Sequence, residues 1–126
     1  MPVGWLFDVP TSRQEDAVVR ASARRTLDLG PKGMRKELLS PDEVTGIQMM
    51  RIEIRPGGAW GEASRNESGA KCGIVMSGTL ALELDGIVHM IGPGDSFAFE
   101  ATRLHRAWCE GQETVDLLWV VAPAVY

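Results

Sequence analysis

The chain has 126 residues, 44% hydrophobic and 24% charged, the make-up of one ordinary globular domain and too little chain for two. Its formal net charge is -4, so a nucleic-acid-binding face, which needs clustered Lys and Arg, is not expected in this stretch. No apolar run reaches the ~20 residues of a membrane helix, and two cysteines, Cys72 and Cys109, are too few and too far apart for a disulfide framework or a zinc site.

The amino terminus has no basic region followed by a long apolar stretch, so no signal peptide is expected, and free thiols in a reducing cytoplasm follow. Trp5, Leu6 and Phe7 lie between Pro2 and Pro10 as an apolar anchor. Thr11 or Ser12 can cap a short helix, with Glu15 at the capping-box spacing after Ser12. Ala17 to Ala23 carries no clean apolar stripe, and an extended course is expected for its second half. The basic groups Arg24-Arg25 and Lys32 to Lys36 are offset by acids and read as a solvated mixed-charge face.

From Arg24 onward the pattern is β. Arg25 to Leu29 alternates and stops at Gly30-Pro31; Arg35 to Leu39 is a second short run, stopped by Ser40-Pro41-Asp42. Ile47 to Arg55 places Met50, Ile52 and Ile54 on one face and Met49, Arg51 and Glu53 on the other. After Pro56-Gly57-Gly58, short extended runs follow at Ile74 to Met76, Thr79 to Leu84, Ile87 to Ile91, Phe97 to Phe99, His105 to Cys109 and Asp116 to Val121. Asp85-Gly86 is a strong hairpin signal. Many short strands punctuated by Gly, Pro and Asp predict an antiparallel sandwich or barrel.

The glycine spacing is more specific. Gly58 is followed after five residues by Ser64-Arg65-Asn66, after four more by Lys71, and after six more by Gly78. Fifteen residues later comes Gly94 in the turn Pro93-Gly94-Asp95, then Glu100-Ala101-Thr102, His105 and Cys109. This framework resembles the two motifs of the cupin superfamily. The resemblance implies an all-β fold: a double-stranded β-helix, or jelly-roll barrel, of short antiparallel strands. On that reading residues 1–40 form an N-terminal extension of a short turn or helix with added strands, and residues 41–126 form the barrel, in a single domain.

Metal-holding cupins carry two His and a Glu in the first motif and a His in the second. Here those positions hold Ser64, Asn66, Lys71 and His105. A lone imidazole cannot supply the several donors a divalent cation needs, and an ammonium beside the ion adds a Coulomb penalty. No metal and no cofactor are expected.

Within the superfamily, Gly73 to Gly86, Gly94-Asp95-Ser96, Leu104-His105-Arg106 and Leu118 to Pro123 are similar to the C-terminal sensory cupin of helix-turn-helix, XRE-type transcriptional regulators. That likeness implies a cytoplasmic homodimer whose barrels bind a small organic effector, with DNA reached only through a helix-turn-helix domain absent from these residues. The chain is then either a sensory domain from a longer regulator or a free-standing cupin. The alternative function is a small cupin enzyme: an isomerase, a lyase or a metal-assisted dioxygenase.

The family register turns Ser64, Asn66, Lys71 and His105 into the lumen, with Trp60, Cys109 and Trp119 as further candidates for the ligand site; no catalytic residue is assigned. Lys71 can bind an anionic ligand or snorkel to water at the mouth. His105 can be a ligand contact, a general base, or a framework residue held by a backbone carbonyl. Trp119 reads as core, Trp60 and Trp108 as pocket wall or dimer contact, and Cys109 as a buried thiol. Met49, Met50, Met76 and Met90 suit an adaptable cavity or fill gaps.

Overall fold

The computed structural model describes residues 16–125. The apolar anchor at Trp5 to Phe7 and the capping residues Thr11, Ser12 and Glu15 lie outside them. Among the described residues a 3-10 turn at Ala21–Ala23 leads into nine strands, with a second such turn, Gly30–Lys32, between the first two: β1 (Arg25–Leu29), β2 (Met34–Leu38), β3 (Gln48–Ile54), β4 (Ala70–Ser77), β5 (Thr79–Leu84), β6 (Ile87–Ile91), β7 (Ser96–Glu100), β8 (His105–Glu110) and β9 (Val115–Ala122). They form a six-stranded sheet in the order β1-β2-β3-β9-β4-β7 and a three-stranded sheet β6-β5-β8. Every ladder is antiparallel. This is the jelly-roll arrangement.

Period-two alternation decides which side chains enter the core. In β3, Gln48, Met50, Ile52 and Ile54 are buried while Met49 is exposed; in β9, Val115, Leu117, Trp119 and Val121 are buried. β5 contributes Leu80, Leu82 and Leu84 from the other sheet. The outward residues of the large sheet pair across strands instead. Arg51 Nε and Nη2 donate to the two carboxylate oxygens of Asp116 at 2.9 and 2.8 Å, a bidentate bridge between β3 and β9.

Turn chemistry sets the hairpins. Asp85 and Gly86 both take positive φ, 51° and 84°, the geometry of the tight turn that joins β5 to β6. Gly73 in β4 is needed for another reason: a Cβ there would collide with the Leu118 carbonyl oxygen and stand 2.7 Å from Phe97 Cζ. The bare backbone lets the Phe97 ring lie against the sheet.

Two features position the site. β1 and β2 form a hairpin that extends the larger sheet beyond β3. The segment between β3 and β4 runs back along β8: Trp60 N–H donates to the Ala107 carbonyl at 2.9 Å, and Ser64 and His105 exchange two backbone hydrogen bonds at 3.0 and 2.8 Å. That segment roofs the concave face of the large sheet. No helix among the described residues is long and apolar enough to cross a membrane.

Candidate functional site

Under this roof lies a cavity of about 190 Å³ that opens to solvent. Its floor is aromatic and aliphatic: Trp119 and Val121 from β9, Met50 from β3, Leu27 from β1. Trp60 closes over Trp119 with ring centroids 4.9 Å apart, and Phe97 and Phe99 pack on the same indole at 5.3 and 6.1 Å. Such offset and tilted pairs hold a wall rigid. Leu80, Leu82, Phe99 and Trp119 all belong to the buried core, and the cavity lies at the end beneath Trp60.

Four polar side chains reach this cavity: Lys36, Gln48, Asn66 and Lys71. Lys71 lies on β4 between Phe99 of β7 and Val121 of β9, neither of which carries charge. Its Nζ sits 2.8 Å from His105 Nε2 and 5.7 Å from the centroid of Trp119. His105 Nδ1 is 2.7 Å from the Arg103 carbonyl oxygen, which can only accept, so Nδ1 carries the proton and donates. Nε2 is therefore the free lone pair of a neutral imidazole, and the Lys71 ammonium donates to it. His105 is only 3% exposed. Burial holds its pKa below the usual range, the Arg103 carbonyl opposes that, and the charge of Lys71 adds to the fall.

The second lysine comes from the added hairpin. Lys36 in β2 stands between Leu27 of β1 and Ile52 of β3, with Nζ 5.3 Å from the centroid of Trp60. Burial lowers its pKa, with Lys32 adding to the effect. Lys71 is pushed down to about 8, first by burial and then by the charge of Lys36. Among the described residues no Asp or Glu lines the cavity, and neither lysine forms an ion pair. Gln48, 2% exposed, accepts the Val125 N–H through Oε1 at 3.4 Å, which leaves its amide NH2 as a further donor. The cavity therefore offers two cations and neutral donors over an aromatic floor.

The sequence-derived residues divide. Asn66, Lys71, Trp60 and Trp119 line the cavity, and His105 adjoins it through Lys71. Ser64 pairs its backbone with His105 but is solvent-exposed and does not line the cavity. Cys109 is buried elsewhere, its Sγ donating to the Glu113 carbonyl at 3.2 Å, with its pKa raised by burial. Trp108 lies under the Arg106 guanidinium and donates to Glu110, away from the cavity. Of the four methionines only Met50 lines it; Met49, Met76 and Met90 are exposed. Lys36, read as part of a solvated patch, faces inward. Its signal was parity: Met34, Lys36 and Leu38 share one face of β2, and the flanking two are buried.

A profile of the cupin domain matches residues 50–121. The chain belongs to the cupin family. No curated protein matches the sequence. Among solved structures, this cupin is similar to an RmlC-like cupin from Shewanella frigidimarina NCIMB 400 (19% identity, TM-score 0.73), covering 90% of this chain and 96% of that one. It is also similar to the cupin domain of an XRE family transcriptional regulator from Enterobacter cloacae (22% identity, TM-score 0.65, 71% and 96% covered). KdgF from Halomonas sp. aligns at 17% identity with a TM-score of 0.69, covering 88% and 96%. At such identities the likeness is one of fold.

Metal-holding members of the family carry ligands where this cupin has Ser64, Asn66, Lys71 and His105. These residues do not fit a divalent cation. Ser64 is outside the cavity, Lys71 brings a positive charge, and the lone pair of the single imidazole already meets that charge at 2.8 Å. No cluster of three or more His, Cys, Asp or Glu placed to share an ion occurs among the described residues.

Proposed function

We propose that this cupin is a non-catalytic sensory domain that binds a small organic anion without metal, its charge held between Lys36 and Lys71 and its apolar body on Trp60 and Trp119. One observation carries the reading: two inward lysines share a cavity to which the described residues contribute no carboxylate. A buried ammonium without a counter-charge is costly, and an anionic ligand supplies that partner. Asn66 and the Gln48 amide add neutral donors for orientation. The volume equals about six waters at ~30 Å³ each, which suits a ligand of few heavy atoms.

The regulator-like sequence motivates a further step, in which two barrels form a homodimer in the cytoplasm and the ligand favours one packing of the pair. DNA-binding segments attached at the amino terminus would then be repositioned. A reading frame with no upstream helix-turn-helix segment removes that step and leaves the binding reading intact.

Thermal unfolding with sodium propionate, against propylammonium as a charge-inverted control of similar size, tests the binding reading. Propionate at ~100 times its Kd should stabilise by about 2.7 kcal/mol, and the effect should vanish in the Lys36→Met, Lys71→Met double variant. Equal responses to the two probes, or a response the double variant retains, would sink the reading.

A further inference from the structure

Lysine is scarce here: the chain has only Lys32, Lys36 and Lys71 against ten arginines. Two of the three face one cavity. Arginine would serve anion binding at least as well, since its planar fork pairs carboxylates at two points and keeps its charge when buried. Lysine offers what arginine does not, an amine that can lose its proton and attack. Among the described residues, Lys71 is the cavity lysine that touches a proton acceptor: its Nζ is 2.8 Å from the unprotonated Nε2 of His105, whose tautomer is set by the Arg103 carbonyl. An amine desolvated beside a second cation and hydrogen-bonded to a neutral base is the arrangement that activates lysine as a nucleophile.

We infer that Lys71 is a nucleophilic amine and that the cavity captures a small carbonyl-bearing carboxylate, a 2-oxo acid or its aldehyde equivalent, as a reversible imine. The inference rests on the anion-binding reading above and assigns separate tasks to the two lysines. Lys36 pairs the carboxylate. Lys71 passes one ammonium proton to His105 Nε2, and its lone pair attacks the carbonyl carbon, forming the C–N bond as the C=O π pair moves to oxygen. A proton then moves from nitrogen to that oxygen, giving a carbinolamine. The imidazolium returns its proton to the hydroxyl, the C–O bond breaks, and water leaves. Ammonium plus carbonyl gives iminium plus water, with His105 restored and no oxidant or reductant needed. The aromatic wall of Trp60 and Trp119 limits access of bulk water to the iminium from that side. Lys71 is half-buried and the cavity opens to solvent, so the amine is reachable by an entering ligand.

The test uses the intact protein, glyoxylate as the probe, and sodium cyanoborohydride to reduce any imine to a stable secondary amine. Peptide mapping by mass spectrometry then gives the rate of carboxymethylation at each lysine, and exposed Lys32 in the same molecule is the reference. Lys71 should be labelled at least about tenfold faster than Lys32, and propionate should slow it. His105→Gln should slow Lys71 labelling by about tenfold or more, within the range for positioned proton transfer, while leaving the propionate midpoint shift in place. Loss of propionate binding as well would mark His105 as merely structural and count against its proton role. Labelling of Lys71 no faster than Lys32, or label concentrated on Lys36, overturns the inference. If propionate still stabilises the protein in that case, the anion-binding reading stands and only the covalent step fails; if propionate does nothing, both fail.

Discussion

Replacing Lys71 by Met in the ligand-free protein should change how stability responds to pH more than it changes stability itself. Lys71 falls from 10.5 to about 8 on folding. At ~1.4 kcal/mol per pKa unit this corresponds to roughly 3 kcal/mol of differential interaction. The side chain is only half-buried, and solvent screening reduces the figure to about 1–2 kcal/mol. Losing the hydrogen bond to His105 returns about 1 kcal/mol in the other direction. Near pH 7 the variant should therefore lie between equal to wild type and ~1 kcal/mol more stable.

The slope is the sharper reading. The folded-state value is depressed, so between about 8 and 10.5 the unfolded chain holds a proton that the folded chain has released. Wild-type stability relative to the variant then climbs by about 1–2 kcal/mol across that window and is flat below it. Among the described residues the charged or titratable groups facing Lys71 are Lys36 and His105; both are present in wild type and variant and largely cancel in the difference. Urea midpoints for the two proteins, taken at intervals from about pH 7 to about pH 10, measure the gap. A gap that stays constant, or that moves in the variant's favour as pH rises, would refute the claim that Lys71 is buried without a counter-charge.

Two further outcomes test the framework around the cavity. Gly73→Ala should lower stability by about 3 kcal/mol in denaturant titration, because its methyl meets the Leu118 carbonyl and the Phe97 ring, while Gly46→Ala, with nothing within 4 Å, should be near neutral. Iodoacetamide on native protein should modify exposed Cys72 quickly and spare Cys109, buried and hydrogen-bonded to the Glu113 carbonyl, until the protein is unfolded.

Strands with regular alternation were legible from residues alone. β3, β5 and β9 carry aliphatic or aromatic side chains at every second position, and that pattern admits one inward face. β4 was harder: Ala70-Lys71-Cys72-Gly73 has no apolar alternation, so the strand was expected only from Ile74, whereas its pairing with β7 and β9 begins at Ala70. The motif spacing located Lys71 and His105 but not their contact, because a 2.8 Å meeting of β4 and β8 depends on how the two sheets pack. Ser64 shows the limit of family register. Its backbone keeps its place beside His105 while its side chain is left in solvent. Lys36 was missed because a short basic run suggests surface, although its neighbours at i−2 and i+2 are apolar and buried.

Lys36 also lies outside residues 50–121, the part that matches the family profile. It comes from an appended hairpin whose outer strand, β1, pairs only with β2 among the described residues. On the anion-binding proposal, one of the two charges that hold a guest would be borne by this added hairpin, while the other, with the indole floor, belongs to the part that matches the family. Selectivity would then be open to change at Lys36 and Leu27, the hairpin positions that line the cavity, while Gly33, the β2–β3 ladder and the buried Met34 and Leu38 stay as they are.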